Sequence, residues 1–287
     1  MNAANSIAFQ GEPGAYSHLA CRNVYPDMEP LPCRTFEDAF AAVREGKAGL
    51  GMIPIENSVA GRVADIHHLL PESGLHIIGE HFLRVNHHLL GLQGADVSEL
   101  THVHSHVHAL NQCRNLIKEL AVTPVVHVDT AGAAMEIAAK GDSSQAVIAS
   151  ELAGEINGLQ SLRANIEDAE HNTTRFIVMA REAEIPSPDA GPLMTTFVFH
   201  VRNVPAALYK AMGGFATNGV NMTKLESYLI DGHFSAAQFY ADVEGHPEHR
   251  NVRLALEELR FFTKEVNILG VYPAHPFRQE NGISEDD

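Results

Sequence analysis

Four short segments place polar side chains together with Gly or Pro directly after an apolar run. They are Gly11-Glu12-Pro13-Gly14-Ala15-Tyr16-Ser17-His18, Pro54-Ile55-Glu56-Asn57-Ser58-Val59-Ala60-Gly61, Ser105-His106-Val107-His108-Ala109-Leu110-Asn111-Gln112-Cys113 and Asn172-Thr173-Thr174-Arg175-Phe176. An open α/β sheet presents its ligand-binding loops at such points. The hydroxyls and amides can position a small polar substrate, and Arg175 suits bidentate binding of a carboxylate. Each segment also has a plain structural explanation. Gly11–Gly14 can be a simple turn, Asn57-Ser58 and Ser105 can be helix caps, and Thr174 can be an ordinary strand residue with Arg175 solvated beside it. Neither a Walker loop nor a G-x-G-x-x-G pattern is present.

The elements that must position these loops are legible in the hydrophobic pattern. Ile7, Ala8 and Phe9 read as a strand running into the Gly11–Gly14 turn. Thr35 with Asp38 is a capping-box-like start, Phe36, Ala39, Phe40 and Val43 share one helical face, and Gly46 ends the helix. Leu50 to Ile55 reads as the next strand. Asp129 or Thr130 can cap a helix burying Ala131, Ala134, Met135 and Ala138, and Gln145 to Ala149 is a strand leading to a helix from Ser150 to about Gly158. This alternation predicts an α/β fold with a largely parallel sheet. The stretch Glu182 to Pro192, with three prolines and several acids, has linker composition. Beyond it the rhythm changes to a strand (Thr195–Val201), a helix opened by Pro205, two strands joined at Asp231-Gly232, a helix (Val252–Thr263) and a last strand (Val266–Val271). The order βαββαβ is that of the ferredoxin-like fold.

The chain has 287 residues, enough for about two domains, with 45% hydrophobic and 20% charged residues. Its formal net charge of −16 disfavours nucleic acid and anionic membranes as partners, and an anionic substrate would need local attraction against that field. Cys21, Cys33 and Cys113 form no CxxC pair and suit a reducing cytoplasm. No signal peptide is expected from Met1–Ser6, and no apolar run is long enough to span a bilayer.

In this order, FQGEPGAYSH, PIENSVAG, SHVHALNQC and NTTRF, followed by LYKAMGGFATNGVNMTKLES, resemble the signature segments of prephenate dehydratases with a C-terminal ACT regulatory domain. The resemblance covers roughly residues 6 to 275. It implies a two-lobed catalytic domain like periplasmic binding proteins over residues 1–182, with the chain crossing between lobes near 80 and 170. A linker at 183–193, a ferredoxin-like ACT domain at 194–275 and an acidic tail at 276–287 follow. The implied activity is the cofactor-independent conversion of prephenate to phenylpyruvate, water and carbon dioxide in L-phenylalanine biosynthesis, with L-phenylalanine as effector. A cytoplasmic homodimer or homotetramer assembled through ACT domains is implied as well.

Aromatisation drives that reaction, so no redox cofactor, metal or covalent intermediate is required. A proton donor for the leaving hydroxyl and anchors for two carboxylates are. The resemblance carries the essential threonine onto Thr174, as a positioned donor whose proton a neighbour relays. Arg175 either grips the substrate or holds the loop, with substrate contact favoured. Asn57, Ser58, Ser105 and Gln112 carry over as polar substrate contacts, with Tyr16, Ser17, Thr130 and Phe176 as further lining. Asp129 either orients the donor or is only an N-cap. Helix starts at Ala15, Ser58, Ser105 and Thr130 are expected to aim N–H groups into the cleft and, with Arg175, to make a positive pocket.

Some positions depart from the family pattern. Val107-His108 replace the usual Pro-Gln. His102, His104, His106 and His108 alternate, but no acidic or Cys partner at ligand spacing accompanies them, so no metal is expected. The effector site carries over onto Ala207, Leu208, Asn218, Asn221, Glu226 and Ser227, whereas Ala206 stands for the family glycine and Tyr228-Leu229 for Arg-Pro. Arogenate dehydration is the nearest alternative. A cytoplasmic small-molecule or amino-acid binding protein is an alternative of another class.

Overall fold

The protein is described by a computed structural model covering residues 3–169, 171–202, 204–230 and 233–280. The expected Asp231-Gly232 turn and the end of the acidic tail, 281–287, lie outside the described residues. The fold is mixed α/β with two sheets. The chain forms two compact units, 1–63 with 82–176 and 64–81 with 177–287, and passes from one to the other inside the strands His76–Arg84 and Thr173–Ala180.

The first unit is built on strands of both sheets, and each sheet part with its helices is termed a lobe. In the first, Glu29–Cys33, Ser6–Gln10 and Leu50–Asn57 are parallel neighbours, and the start of Thr173–Ala180 lies beside Leu50–Asn57. Ile7, Ala8 and Phe9 are fully buried, as a central strand covered on both faces requires. Helices Tyr16–Val24 and Phe36–Arg44 connect these strands. The second starts on a hydrogen bond of 3.1 Å from Asp38 N to the Thr35 hydroxyl, the cap read from the sequence. In the second lobe the order is Gln160–Arg163, His88–Gly91, Gln145–Ala149, His102–His106, Thr123–His127. Only the last three run parallel; His88–Gly91 is antiparallel to both its neighbours, which corrects the expectation of a largely parallel sheet. His88–Gly91 is the first strand of its sheet along the chain, so its direction relative to its neighbours is set by the later segments 145–149 and 160–163 that pair with it.

Two of the four expected helix starts are elsewhere. Ser58 lies in a turn, because Asn57 Oδ1 folds back to accept Val59 N (2.9 Å) and Ala60 N (2.8 Å). Ser105 lies inside the strand His102–His106, and the helix begins at Val107 with His106 as its cap. Ala15 and Thr130 do stand at helix starts. Gly14 has φ +99°, and a Cβ there would lie 2.7 Å from Ala153 Cα, so the first motif's loop seats against helix Glu151–Asn157 only as glycine. Ser150 Oγ donates to the Gly14 carbonyl at the same junction.

In the second unit, Leu193–Val201, Ala207–Thr217, Met222–Ile230, His233–Glu244, Arg250–Phe262 and Thr263–Pro273 alternate as strand, helix, two strands, helix, strand. The strands lie in the order 222–230, 233–244, 193–201, 263–273, with the pairs antiparallel. Phe197, Phe199, Phe215, Phe239, Leu256 and Leu259 fill the space between this sheet and its two helices. Gly270 faces Ile77, whose carbonyl oxygen would lie 2.1 Å from a Cβ, so His76–Arg84 joins the sheet only because residue 270 has no side chain. Among the described residues no helix is long and apolar enough to cross a membrane.

One buried ion pair ties the end of the described chain to this unit. The Glu80 side chain is fully buried and receives Arg278 Nε at 2.7 Å and Nη2 at 2.9 Å, with His275 N at 3.1 Å. Arg278→Ala removes two charge-assisted hydrogen bonds from that buried carboxylate and is expected to lower the unfolding free energy by about 3 kcal/mol in urea denaturation. An unchanged midpoint would show that the pair contributes nothing net.

Candidate active site

The sequence-predicted residues meet in the first unit through an unbroken hydrogen-bonded row. Asn57 Nδ2 donates to Thr174 Oγ1 at 2.9 Å and to Asn172 Oδ1 at 2.8 Å. Asn172 Nδ2 donates to Gln112 Oε1 at 3.0 Å. His87 Nε2 lies 2.9 Å from the same Gln112 oxygen, and His87 Nδ1 lies 2.7 Å from the Tyr16 hydroxyl. Tyr16 is also 2.9 Å from the carbonyl of Asn86. Residues from all four sequence motifs are thereby joined, by way of Asn172, which the fourth motif contains without a role assigned to it, and His87, which lies outside all four.

The first lobe and the returning chain build one end of the row. Asn57 ends the strand Leu50–Asn57, and Thr174 sits at the start of Thr173–Ala180. Ser58 stitches the two loops together: its N donates to Thr173 O (2.9 Å), its hydroxyl to His171 O (2.5 Å), and Thr173 N donates back to it (2.9 Å). The second lobe supplies Gln112 at the end of helix Val107–Gln112. The crossing segments are paired to each other through Val85 N to Asn172 O (2.8 Å) and Ile166 N to His87 O (3.0 Å). Glu167, almost fully buried, accepts from His87 N at 2.9 Å.

The polarity of the row follows from its fixed ends. Backbone N–H groups cannot reverse, so Asn57 presents oxygen to Val59 and Ala60 and NH2 to Asn172 and Thr174. Thr174 Oγ1 therefore accepts, and its own hydrogen is not used inside the row. A hydroxyl that already accepts a hydrogen bond is a stronger donor. Thr174 is half-buried, so a ligand can reach it. Burial, then the Cys113 thiol and the Glu167 carboxylate, hold the Tyr16 hydroxyl well above the ordinary phenol range, which keeps it a donor. Burial lowers the His87 pKa; its bond to Gln112 and the Glu167 charge act against that, and His88 adds to it.

Other predicted residues are placed differently. Arg175 is 2% exposed and ion-paired with Glu56 at 3.0 Å, above the ring of Phe82 at 6.0 Å. It links the strands Leu50–Asn57 and Thr173–Ala180, the holding role weighed beside substrate contact in the sequence. A side chain buried between sheet neighbours is not presented to a cleft. Ser105 is 0% exposed and donates to Ile148 O at 2.6 Å, so its hydroxyl is spent inside the second sheet and not on a ligand. The Asp129 carboxylate accepts from Gly132 N at 2.6 Å as the cap of Thr130–Lys140. No described contact brings Asp129 to Thr174. Ser17 is buried on helix Tyr16–Val24, Thr130 opens its helix, and Phe176 is buried in the core. The histidine row is also engaged: His104 Nδ1 is 2.9 Å from His127 Nε2, and His104 Nε2 is 2.6 Å from Gln145 Oε1. Among the described residues no group of three or more His, Cys, Asp or Glu could hold a metal ion.

In the second unit, Ala207 begins helix Ala207–Thr217, Leu208 packs on the aromatic core, and Asn218 caps the helix by donating to Gly214 O at 2.8 Å. The Asn221 carbonyl accepts from Glu244 N at 3.0 Å, Glu226 pairs with Lys224 at 3.3 Å, and Ser227 lies opposite Phe239. Ala206 has φ +59°, the left-handed region, which costs a residue with a side chain about 1–2 kcal/mol relative to glycine. Tyr228 is buried, edge-on to His68 at 5.6 Å and tilted against His67 at 5.9 Å.

Removing the Glu56 carboxylate takes away an ion-pair partner of a buried guanidinium. Glu56→Ala is therefore expected to destabilise the protein by about 3 kcal/mol, read by urea denaturation. A loss below about 0.5 kcal/mol, the range of an ordinary surface substitution, would remove the structural role given to this pair.

Comparison with known proteins matches residues 7–184 to the family described as prephenate dehydratase. A "Bifunctional N-acyl-homoserine lactone acylase/prephenate dehydratase" of Komagataeibacter europaeus is 55% identical over 281 residues, 98% of this chain and 100% of the relative. "Arogenate dehydratase/prephenate dehydratase 1, chloroplastic" of Arabidopsis thaliana is 38% identical, covering 93% of this chain and 71% of its own length. The crystal structure of prephenate dehydratase in complex with L-Phe from Arthrobacter aurescens superposes with a TM-score of 0.86 at 29% identity, covering 94% of this chain and 90% of that one.

Proposed function

The chain belongs to the prephenate dehydratase family, and from that premise we propose that it converts prephenate to phenylpyruvate, water and carbon dioxide. The electron pair of the bond to the ring carboxylate moves into the ring, the bond to the ring hydroxyl breaks, and that oxygen departs with a proton as water. The observation that carries the residue assignment is the forced polarity of Asn57, which turns Thr174 into an acceptor towards the protein and a donor away from it. Thr174 then donates to the leaving oxygen as negative charge develops there. Gln112 and Asn57 hold the geometry, and Tyr16 closes the far end of the row. No cofactor is assigned a part. The product feeds L-phenylalanine formation, and we place the reaction in the cytoplasm.

We read residues 1–182 as the catalytic domain, 183–193 as a linker, 194–275 as an ACT domain of ferredoxin-like topology and 276–287 as a tail. The element order and the strand order in 193–273 support the ACT reading. The Arthrobacter relative with L-Phe supports L-phenylalanine as effector, with Ala207, Leu208, Asn218, Asn221, Glu226 and Ser227 as the site and pairing of ACT domains as the route to a homodimer or homotetramer.

Thr174→Ala is expected to lower kcat about 100- to 1,000-fold while KM stays within about threefold, and Thr174→Ser is expected to keep most of the turnover. Phenylpyruvate release from prephenate, with arogenate assayed in parallel, measures this. An alanine variant with kcat within severalfold of the wild type would sink the assignment.

A second reading is favoured by the Komagataeibacter relative, which matches 98% of the chain and carries an acylase name beside the dehydratase one. It is hydrolysis of the amide bond of N-acyl homoserine lactones. Incubation of the purified protein with such a lactone is expected to release homoserine lactone and the free acid; release at the uncatalysed rate removes this reading.

A further inference from the structure

We propose that His87 is a positioning residue for the dehydration assigned above, acting through Gln112, and the inference rests on that assignment. The turn at Asn57 fixes the hydrogens of the row as far as His87 Nε2. Val59 and Ala60 N–H hold Asn57 Oδ1, so Asn57 Nδ2 faces Asn172 Oδ1, and Asn172 Nδ2 must face Gln112 Oε1. His87 Nε2, 2.9 Å from that oxygen, therefore carries a hydrogen and donates. Nδ1 is then the bare nitrogen of a neutral ring and faces the Tyr16 hydroxyl at 2.7 Å, whose single hydrogen it shares with the Asn86 carbonyl oxygen at 2.9 Å. The ring is 2% exposed, which favours the neutral form.

The outcome is a clamp. Gln112 Oε1 is held by two N–H donors, from Asn172 and His87, and the carboxamide cannot turn over without facing both with its own NH2. Its NH2 is the group the row leaves for a ligand. That NH2 attracts an anionic substrate, whereas the reversed amide would present oxygen and repel it. His87 thus adds the second hold, beside Asn172, on which end of Gln112 meets the substrate, without touching the substrate itself. Glu167 keeps the backbone of His87 in place by accepting its N–H at 2.9 Å.

A double-mutant cycle on the full chain tests this, with phenylpyruvate formation and thermal unfolding measured for each variant. His87→Phe fills the space but has no donor; it is expected to lower kcat/KM about 10- to 100-fold, mainly by raising KM. Gln112→Ala is expected to do the same. The double variant should lie within about twofold of Gln112→Ala alone, because the histidine acts only through that amide. His87→Gln carries an NH2 near the former Nε2 and is expected to restore most of the loss. If His87→Phe fails to fold, His87→Asn, whose amide is too short to reach Gln112, takes its place. Multiplying effects in the double variant overturn the inference. So does an unchanged KM in a folded His87→Phe, or a His87→Gln no better than His87→Phe. A wild-type protein that does not turn over prephenate instead overturns the dehydratase reading.

Discussion

Two backbone N–H groups, those of Val59 and Ala60, converge on Asn57 Oδ1, and the direction of the hydrogen bonds from Asn57 as far as His87 Nε2 follows from them. A side-chain amide has no intrinsic preference for which end faces a neighbour. Once a turn that cannot reverse holds its oxygen, its NH2 is committed to Thr174 and Asn172, and the commitment passes on to Gln112 and His87. The geometry of the site depends on this turn, which is why Ser58 is used to bind the turn to residues 171–173 and not to start a helix.

The charge balance of the site differs from what its composition suggests. A protein of net charge −16 must attract an anion, and Arg175 is the obvious cation among the motifs, but its guanidinium is buried and paired with Glu56. The members of the row are neutral: a threonine, two asparagines, a glutamine, a histidine and a tyrosine. Attraction then comes from oriented N–H and O–H dipoles, which carry no penalty for burying an uncompensated charge and are fixed before a substrate arrives. The helix start at Tyr16 adds partial positive charge of the same kind.

The proposed regulatory half shows how local departures are absorbed. Ala206 takes a left-handed conformation that glycine would adopt without strain, at the start of helix Ala207–Thr217. Tyr228, in the place of a family arginine, is accommodated by the rings of His67 and His68, from the helix Ala64–Leu69 that clusters with this unit. Aromatic contacts replace whatever a charged side chain would have made there.

Much of the fold was legible because its signals are local. Period and caps located the strands Ser6–Gln10 and Gln145–Ala149, the helix started by Thr35, and the alternation of elements in 193–273, since each depends on residues within a few positions of one another. The motifs likewise marked Asn57, Gln112, Thr174 and Tyr16, whose residue types announce hydrogen bonding. Three things depended on tertiary structure. Burial decided that Ser105 and Arg175 serve the sheets, because no spacing rule tells an inward hydroxyl or guanidinium from an outward one. The pairing of His88–Gly91 with Gln145–Ala149 and Gln160–Arg163, more than fifty residues along the chain, decided that the second sheet is mixed. His87 and Asn172 became part of the site only when the two crossing segments came together, over separations of 60 to 71 residues from Gln112 and Tyr16 that hydrophobic periodicity does not report.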